Sequence, residues 1–138
     1  MNLAQRRAKN ALERTKKLNR KQDKEFKKNY LSYVDRLGPA IVMNGLGQAL
    51  ATERAAAGPQ PENSQQRAHH ELYRSLKQWL CGEGAVYESS EDLLEAIIDN
   101  NEILYLRAQA EALAWLEWHK KFTRAYFPTD NADNEVTQ

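Results

Sequence analysis

Leu37-Gly38-Pro39-Ala40-Ile41-Val42-Met43-Asn44-Gly45-Leu46-Gly47-Gln48-Ala49-Leu50 decides how the rest of the chain is read. Gly38-Pro39 reads as a helix start, because proline suits the first helical turn, where its missing N–H has no partner to lose. Ile41, Val42, Leu46, Ala49 and Leu50 then follow a helical period. Gly45 and Gly47 fall inside that expected helix, each about 1 kcal/mol worse there than alanine. A helix tolerates such losses where another backbone comes very close or where the chain kinks, and tight helix–helix packing is the plainer of the two readings. No Ser, Cys, His or carboxylate lies in the stretch, so it is built for contact and not for chemistry.

Outward from it, the chain reads as all-α. Its 138 residues suffice for one domain with a real core, and proline, glycine and strand-like runs are sparse. The first segment, from about residue 2 to 37, carries a seam of Ala4, Ala8, Ala11, Thr15 and Leu18, resumed at Phe26, Tyr30, Tyr33, Val34 and Leu37. Charged residues fill the gap between, and a break is expected near Asn19–Asp23. A third helix is expected over about 39–57, followed by the proline-broken loop from Gly58. A fourth covers about 66–80 and ends at Gly82 and Gly84. Ala85–Tyr87 reads as a short extended joint. Ser89 or Ser90 is expected to cap a fifth helix, with Glu91 and Asp92 in its first turn, where the helix dipole favours acids. Asp99–Asn101 interrupts, and a sixth helix runs over about 102–127. The expectation is a single-domain bundle of about six helices over 1–127, with a long basic N-terminal helical segment and a disordered polar tail over 128–138.

The net charge of +1 hides a division. Residues 1–36 carry twelve basic and four acidic side chains, a balance of +8 that leaves −7 for the rest. Glu83, Glu88, Glu91, Asp92, Glu95, Asp99 and Glu102 fall in one window without a Lys or Arg. A basic arm and an acidic patch point to an anionic partner and to head-to-tail assembly, although a solvated face that neutralises its neighbour reads the same way. Cys81 is the single cysteine, which leaves no internal disulfide and fits a reducing compartment. With no secretory signal pattern and no apolar run near the roughly 20 residues a bilayer needs, a cytoplasmic protein without membrane contact is expected.

Chemistry-bearing constellations are thin. Adjacent His69 and His70 point about 100° apart on a helix and cannot both face one ion undistorted. Cys81 has no oxyanion-shaping glycine partner set, and Glu91-Asp92-x-x-Glu95-x-x-x-Asp99 lacks the Glu-x-x-His helix of a carboxylate metal site. No catalytic residue, metal or cofactor is expected.

Tyr73-Arg-Ser-Leu-Lys-Gln-Trp-Leu80 and the run from Tyr105 through Glu111-Ala-Leu113 to Trp118, Lys120, Lys121 and Phe122 complete a pattern with Pro39, Ile41 and Asn44-Gly-Leu46. Together they resemble the small all-helical subunit of the type III-B CRISPR effector, the fifth protein of the Cmr complex. The resemblance covers nearly the whole chain except the 58–66 loop and the tail. Leu106 stands where an Arg is expected, and His119 where a Leu is expected. The resemblance implies a non-catalytic subunit. Its partners would be the other Cmr subunits, especially the backbone subunits and neighbouring copies of itself in a filament, together with CRISPR RNA and target RNA in antiviral defence.

A basic arm supplies the sequence-independent phosphate contacts that such a role needs. The expected RNA-binding residues are Arg7, Arg14, Lys17, Lys21 and Lys24, with Lys120, Lys121 and Arg124 as a second cluster. Tyr30, Tyr33, Trp79, Trp115 and Trp118 read first as core or interface anchors and second as base-stacking groups. The alternative is a free-standing helical adaptor that binds nucleic acid or an acidic protein through the same arm.

Overall fold

The computed structural model describes residues 1–128, so the tail expected over 128–138 lies, beyond Pro128, outside the described residues. Six helices form among them: α1 Leu3–Lys21, α2 Lys24–Asn44, α3 Leu46–Ala57, α4 Ser64–Leu80, α5 Leu93–Asp99 and α6 Glu102–Tyr126. The described residues hold no strand, and the all-α expectation stands.

The N-terminal segment breaks where expected. Gln22 ends α1 in extended backbone, and the Asp23 carboxylate accepts from the Phe26 N–H to start α2. Asn2, Asn63 and Asn101 cap α1, α4 and α6 in the same way. Asp92, and neither Ser89 nor Ser90, caps α5, so the acid expected in the first turn is its cap. Residues 85–87 are turns and not an extended joint. The Tyr87 N–H returns to the Leu80 carbonyl at 2.9 Å and seals the end of α4.

The stretch at 37–50 behaves differently from its reading. Pro39 lies inside α2, and no helix begins there. Its ring costs the helix one hydrogen bond and crowds the carbonyl of residue 35. Pro39 is exposed, however, while Leu37 and Ile41 on the core side are at most 1 % exposed. Burial of that face carries the helix past the proline. The break comes at Gly45, whose φ of 88° and ψ of 158° lie in a region open only to glycine. α2 therefore ends and α3 begins around one residue, in place of a single helix over 39–57. The close approach implied by the glycines is real: the Tyr105 hydroxyl sits 3.3 Å from the Gly47 N–H, and the Gln109 side-chain carbonyl accepts from the Leu46 N–H at 3.0 Å. A Cβ on residue 45 would meet the Tyr105 hydroxyl at 2.8 Å. Gly45→Ala is expected to cost about 2 kcal/mol, from the forbidden backbone conformation and the displaced tyrosine. A urea melt with an unchanged midpoint would refute that account.

α1 and α6 run parallel, as the pairs Arg7–Glu111, Asn10–Trp115 and Thr15–His119 show. α2 is antiparallel to α6, with Tyr30 against His119 and Gly45 against Tyr105, and α4 is antiparallel to α1. The core between them holds Phe26, Tyr30, Leu37, Ile41, Leu72, Leu76, Leu80 and Trp115, each under 2 % exposed. Tyr30, Tyr33 and Trp115 are thus core residues, as first read.

Candidate nucleic-acid interface

The helix directions sort the charge. The C-terminal turns of α1 and α6 and the first turn of α2 meet at one end of the bundle. The acidic segment from Glu83 to Glu102 lies at the other, beside the start of α6. α6, at 25 residues, holds the two ends about 37 Å apart. The basic end collects Lys17, Lys21, Lys24, Lys121 and Arg124, all exposed, with Lys120 half-buried. They occupy several sides of that end: Lys17 lines a groove against α4, whereas Lys120 and Arg124 lie along α2.

Among the described residues, Arg124, Lys120 and Lys121 have local carboxylates. Arg124 reaches Asp35 at 3.0 Å, and Lys120 and Lys121 stand 3.8 and 3.9 Å from Glu117. At such exposure these pairs are worth little and yield readily to a phosphate.

Arg7 and Arg14, expected among the RNA-binding residues, are turned inward. Arg7 grips Glu111 through two hydrogen bonds of 2.9 and 2.6 Å. That contact raises the Arg7 pKa and, with burial opposing, holds the Glu111 carboxyl below its usual range. Arg14 is 7 % exposed. It donates to Ser75 Oγ at 2.7 Å and to the Glu71 carboxylate at 2.5 Å. Burial pushes Glu71 up, but Arg14 and then Arg74 outweigh it, and the carboxyl ends below its ordinary value.

Sequence reading missed two further features. Arg67, His70, Arg74 and Lys77 recur at helical spacing along α4. His70, Arg74 and Lys77 line a cleft of about 330 Å³ with Arg54, which also bonds Asp92 at 3.1 Å. The spacing was visible, but a charged helix face has no distinguishing mark until the neighbouring helix is known. At the acidic end, Val42, Met43, Ile98, Ile103 and Leu106 are each at least 58 % exposed. Single exposed apolar residues are ordinary; these five share one end, rimmed by Glu95, Asp99 and Glu102.

The remaining candidates are structural. The His69 ring stacks on Tyr33 with centroids 3.7 Å apart, and its Nδ1 meets Glu53 at 2.6 Å. Burial raises the Cys81 pKa, the wrong direction for a thiolate nucleophile. Among the described residues, no three His, Cys, Asp or Glu side chains are grouped to hold a metal ion, and no helix is long and apolar enough to cross a membrane. Compared with known proteins, residues 3–126 match the family model described as CRISPR-associated protein (Cas_Cmr5).

Proposed function

The chain belongs to the Cas_Cmr5 family and is a subunit of a CRISPR-associated Cmr complex; from that premise we propose that it is a non-catalytic small subunit of a type III-B effector that stacks in a filament and helps hold target RNA along the guide. The observation that carries this reading is the uneven charge along the bundle: Lys17, Lys21, Lys24, Lys120, Lys121 and Arg124 at the shared end of α1, α2 and α6, and at the opposite end the acid-rich segment from Glu83 to Glu102 with exposed apolar side chains, beside exposed Arg6 and Arg107. A heterologous, open-ended stack needs two unlike surfaces, and these two ends are unlike in charge and in polarity. The backbone subunits and the RNA strands then lie alongside the stack.

Phosphate contact falls to Lys17, Lys21 and Lys24, with Lys120, Lys121 and Arg124 as the second cluster. Arg7 and Arg14 spend their charge on Glu111 and Glu71 inside the fold, so they support the arm and do not extend it to RNA. Such contacts are blind to sequence, as a subunit that must accept any target requires.

Changing Lys17, Lys21 and Lys24 together to Ala is expected to weaken target-RNA binding by the reconstituted complex similarly for unrelated sequences. The slope of log K against log salt should shrink by roughly 0.7 per lost contact to a single strand, or 0.9 to a duplex. Equal affinity and slope for the variant complex would overturn the RNA assignment. Failure of the wild-type chain to join the backbone subunits would instead favour a free-standing adaptor.

A further inference from the structure

A second cleft, away from the basic end, lies where the N-terminal half of α1, the turn after α4 and the N-terminal half of α6 meet. Its volume is about 290 Å³, at the small end of ligand-sized clefts and enough for a single small planar group with a short appendage. Arg6 and Arg107 stand on its two helical walls, both exposed, and neither makes an ion pair among the described residues. The Glu111 carboxylate in the same wall is already occupied, by Arg7 at 2.6 Å and by Trp79 Nε1 at 3.2 Å. Glu83 is the other acid at the cleft, so with Arg7 set against Glu111 the region carries one net positive charge.

Other groups give the cleft its chemistry. Trp79 contributes an aromatic wall whose N–H is satisfied by Glu111, which leaves stacking as its available interaction. Asn10 accepts from Trp115 Nε1 at 2.9 Å through its side-chain oxygen, which keeps its amide N–H groups as donors. The closing turn is shaped to the arginine: Gly84 has φ of 75°, and a Cβ there would sit 3.2 Å from Arg6 Nη2. Two exposed guanidiniums without a direct ion pair, an indole and an amide donor around one cleft are the groups that bind a phosphate and an aromatic base together.

We propose that this cleft binds one nucleotide unit, its phosphate on Arg6 and Arg107 and its base against Trp79. The unit is either a free mononucleotide or a nucleotide splayed from an RNA strand. The site uses none of the lysines assigned to the phosphate track, so either assignment can fail while the other stands.

The test is an amide-resolved NMR titration of the full chain with uridine and adenosine 5′-monophosphates, uridine, inorganic phosphate and a pentanucleotide. Saturable shifts at Arg6, Gly84 and Arg107 are expected, with affinity at least tenfold weaker for uridine alone or phosphate alone. Arg6→Gln with Arg107→Gln should weaken nucleotide binding at least tenfold without altering the helical circular dichroism. Arginine-dependent shifts with the pentanucleotide but not the mononucleotides would identify a strand as the source. Inorganic phosphate binding as tightly as the nucleotides, absence of saturable binding by any nucleotide probe, or equal affinity in the arginine variant would overturn the proposal.

Discussion

Arg14→Met is expected to lower the unfolding free energy by about 3 kcal/mol, the low end of the penalty for leaving one member of a buried ion pair behind. Arg14 and Glu71 have side chains only 6 % and 14 % exposed, so the abandoned carboxylate is poorly compensated by water. Arg74, at 3.0 Å, still contacts Glu71 and keeps the cost from rising further. Ser75 loses its donor too, though its hydroxyl retains the Glu71 carbonyl at 2.8 Å. Adding Glu71→Gln to Arg14→Met should recover part of the loss, because the uncompensated charge goes with it. Urea melts of the two single variants and the double variant measure the coupling. A single variant within 1 kcal/mol of wild type, or strictly additive effects, would show that the pair is not held as the distances imply.

That pair also shows why the site was only partly legible. Arg7 and Arg14 sit in a run of basic residues in which Glu13 is the lone acid before Asp23. Their partners, Glu111 and Glu71, come from helices whose direction relative to α1 no local pattern gives. The break at residues 22–23 was legible, because a charged gap in an apolar seam followed by a capping aspartate is a local signal. The break at Gly45 was misread for the converse reason. Pro39 is the stronger local punctuation, but the buried face of Leu37 and Ile41 overrides it, and only the approach of Tyr105 forces the glycine's backbone. The grouping of charge at two ends needed the parallel pairing of α1 with α6, a tertiary fact. Composition could announce the asymmetry but not where it would sit.

His119 takes this furthest: the resemblance expects leucine there, and the position is indeed fully buried, yet the residue is polar. Thr15 gives its hydroxyl proton to the Ala11 carbonyl at 2.8 Å, so its oxygen accepts from His119 Nδ1 at 3.1 Å. Nε2 then accepts from the Tyr30 hydroxyl at 2.7 Å, an assignment of the tautomer from the network. Trp115 stacks on the ring at 4.5 Å. Burial first, and the Arg14 charge second, lower the His119 pKa from 6.5 to about 3. In this range the unfolded chain binds a proton that the native state refuses, so stability falls as pH drops from about 6.5 toward 3, by up to about 1.4 kcal/mol per pH unit. Glu71 and Glu111, both held low, add losses of the same sign only below about 4.5, while Glu53, pushed up by burial, contributes the opposite sign. Between pH 6.5 and 4.5 Glu71 and Glu111 are silent and Glu53 works against the histidine; since Glu53 is common to wild type and variant, the difference between the two isolates His119. In His119→Leu, the Tyr30 hydroxyl turns its proton from the lost imidazole to Ser75 Oγ, 2.9 Å away, and Thr15 keeps Ala11, so no hydroxyl is orphaned. The variant is expected to stay within about 1.5 kcal/mol of wild type at pH 7.5, as a volume-compatible swap without unsatisfied groups allows. Its stability should lack the histidine's acid loss down to pH 4.5, so that it overtakes the wild type in mild acid. Urea melts at pH 7.5, 6, 5 and 4.5 test this, and parallel pH profiles for the two proteins would mean that His119 takes up its proton without opening the core.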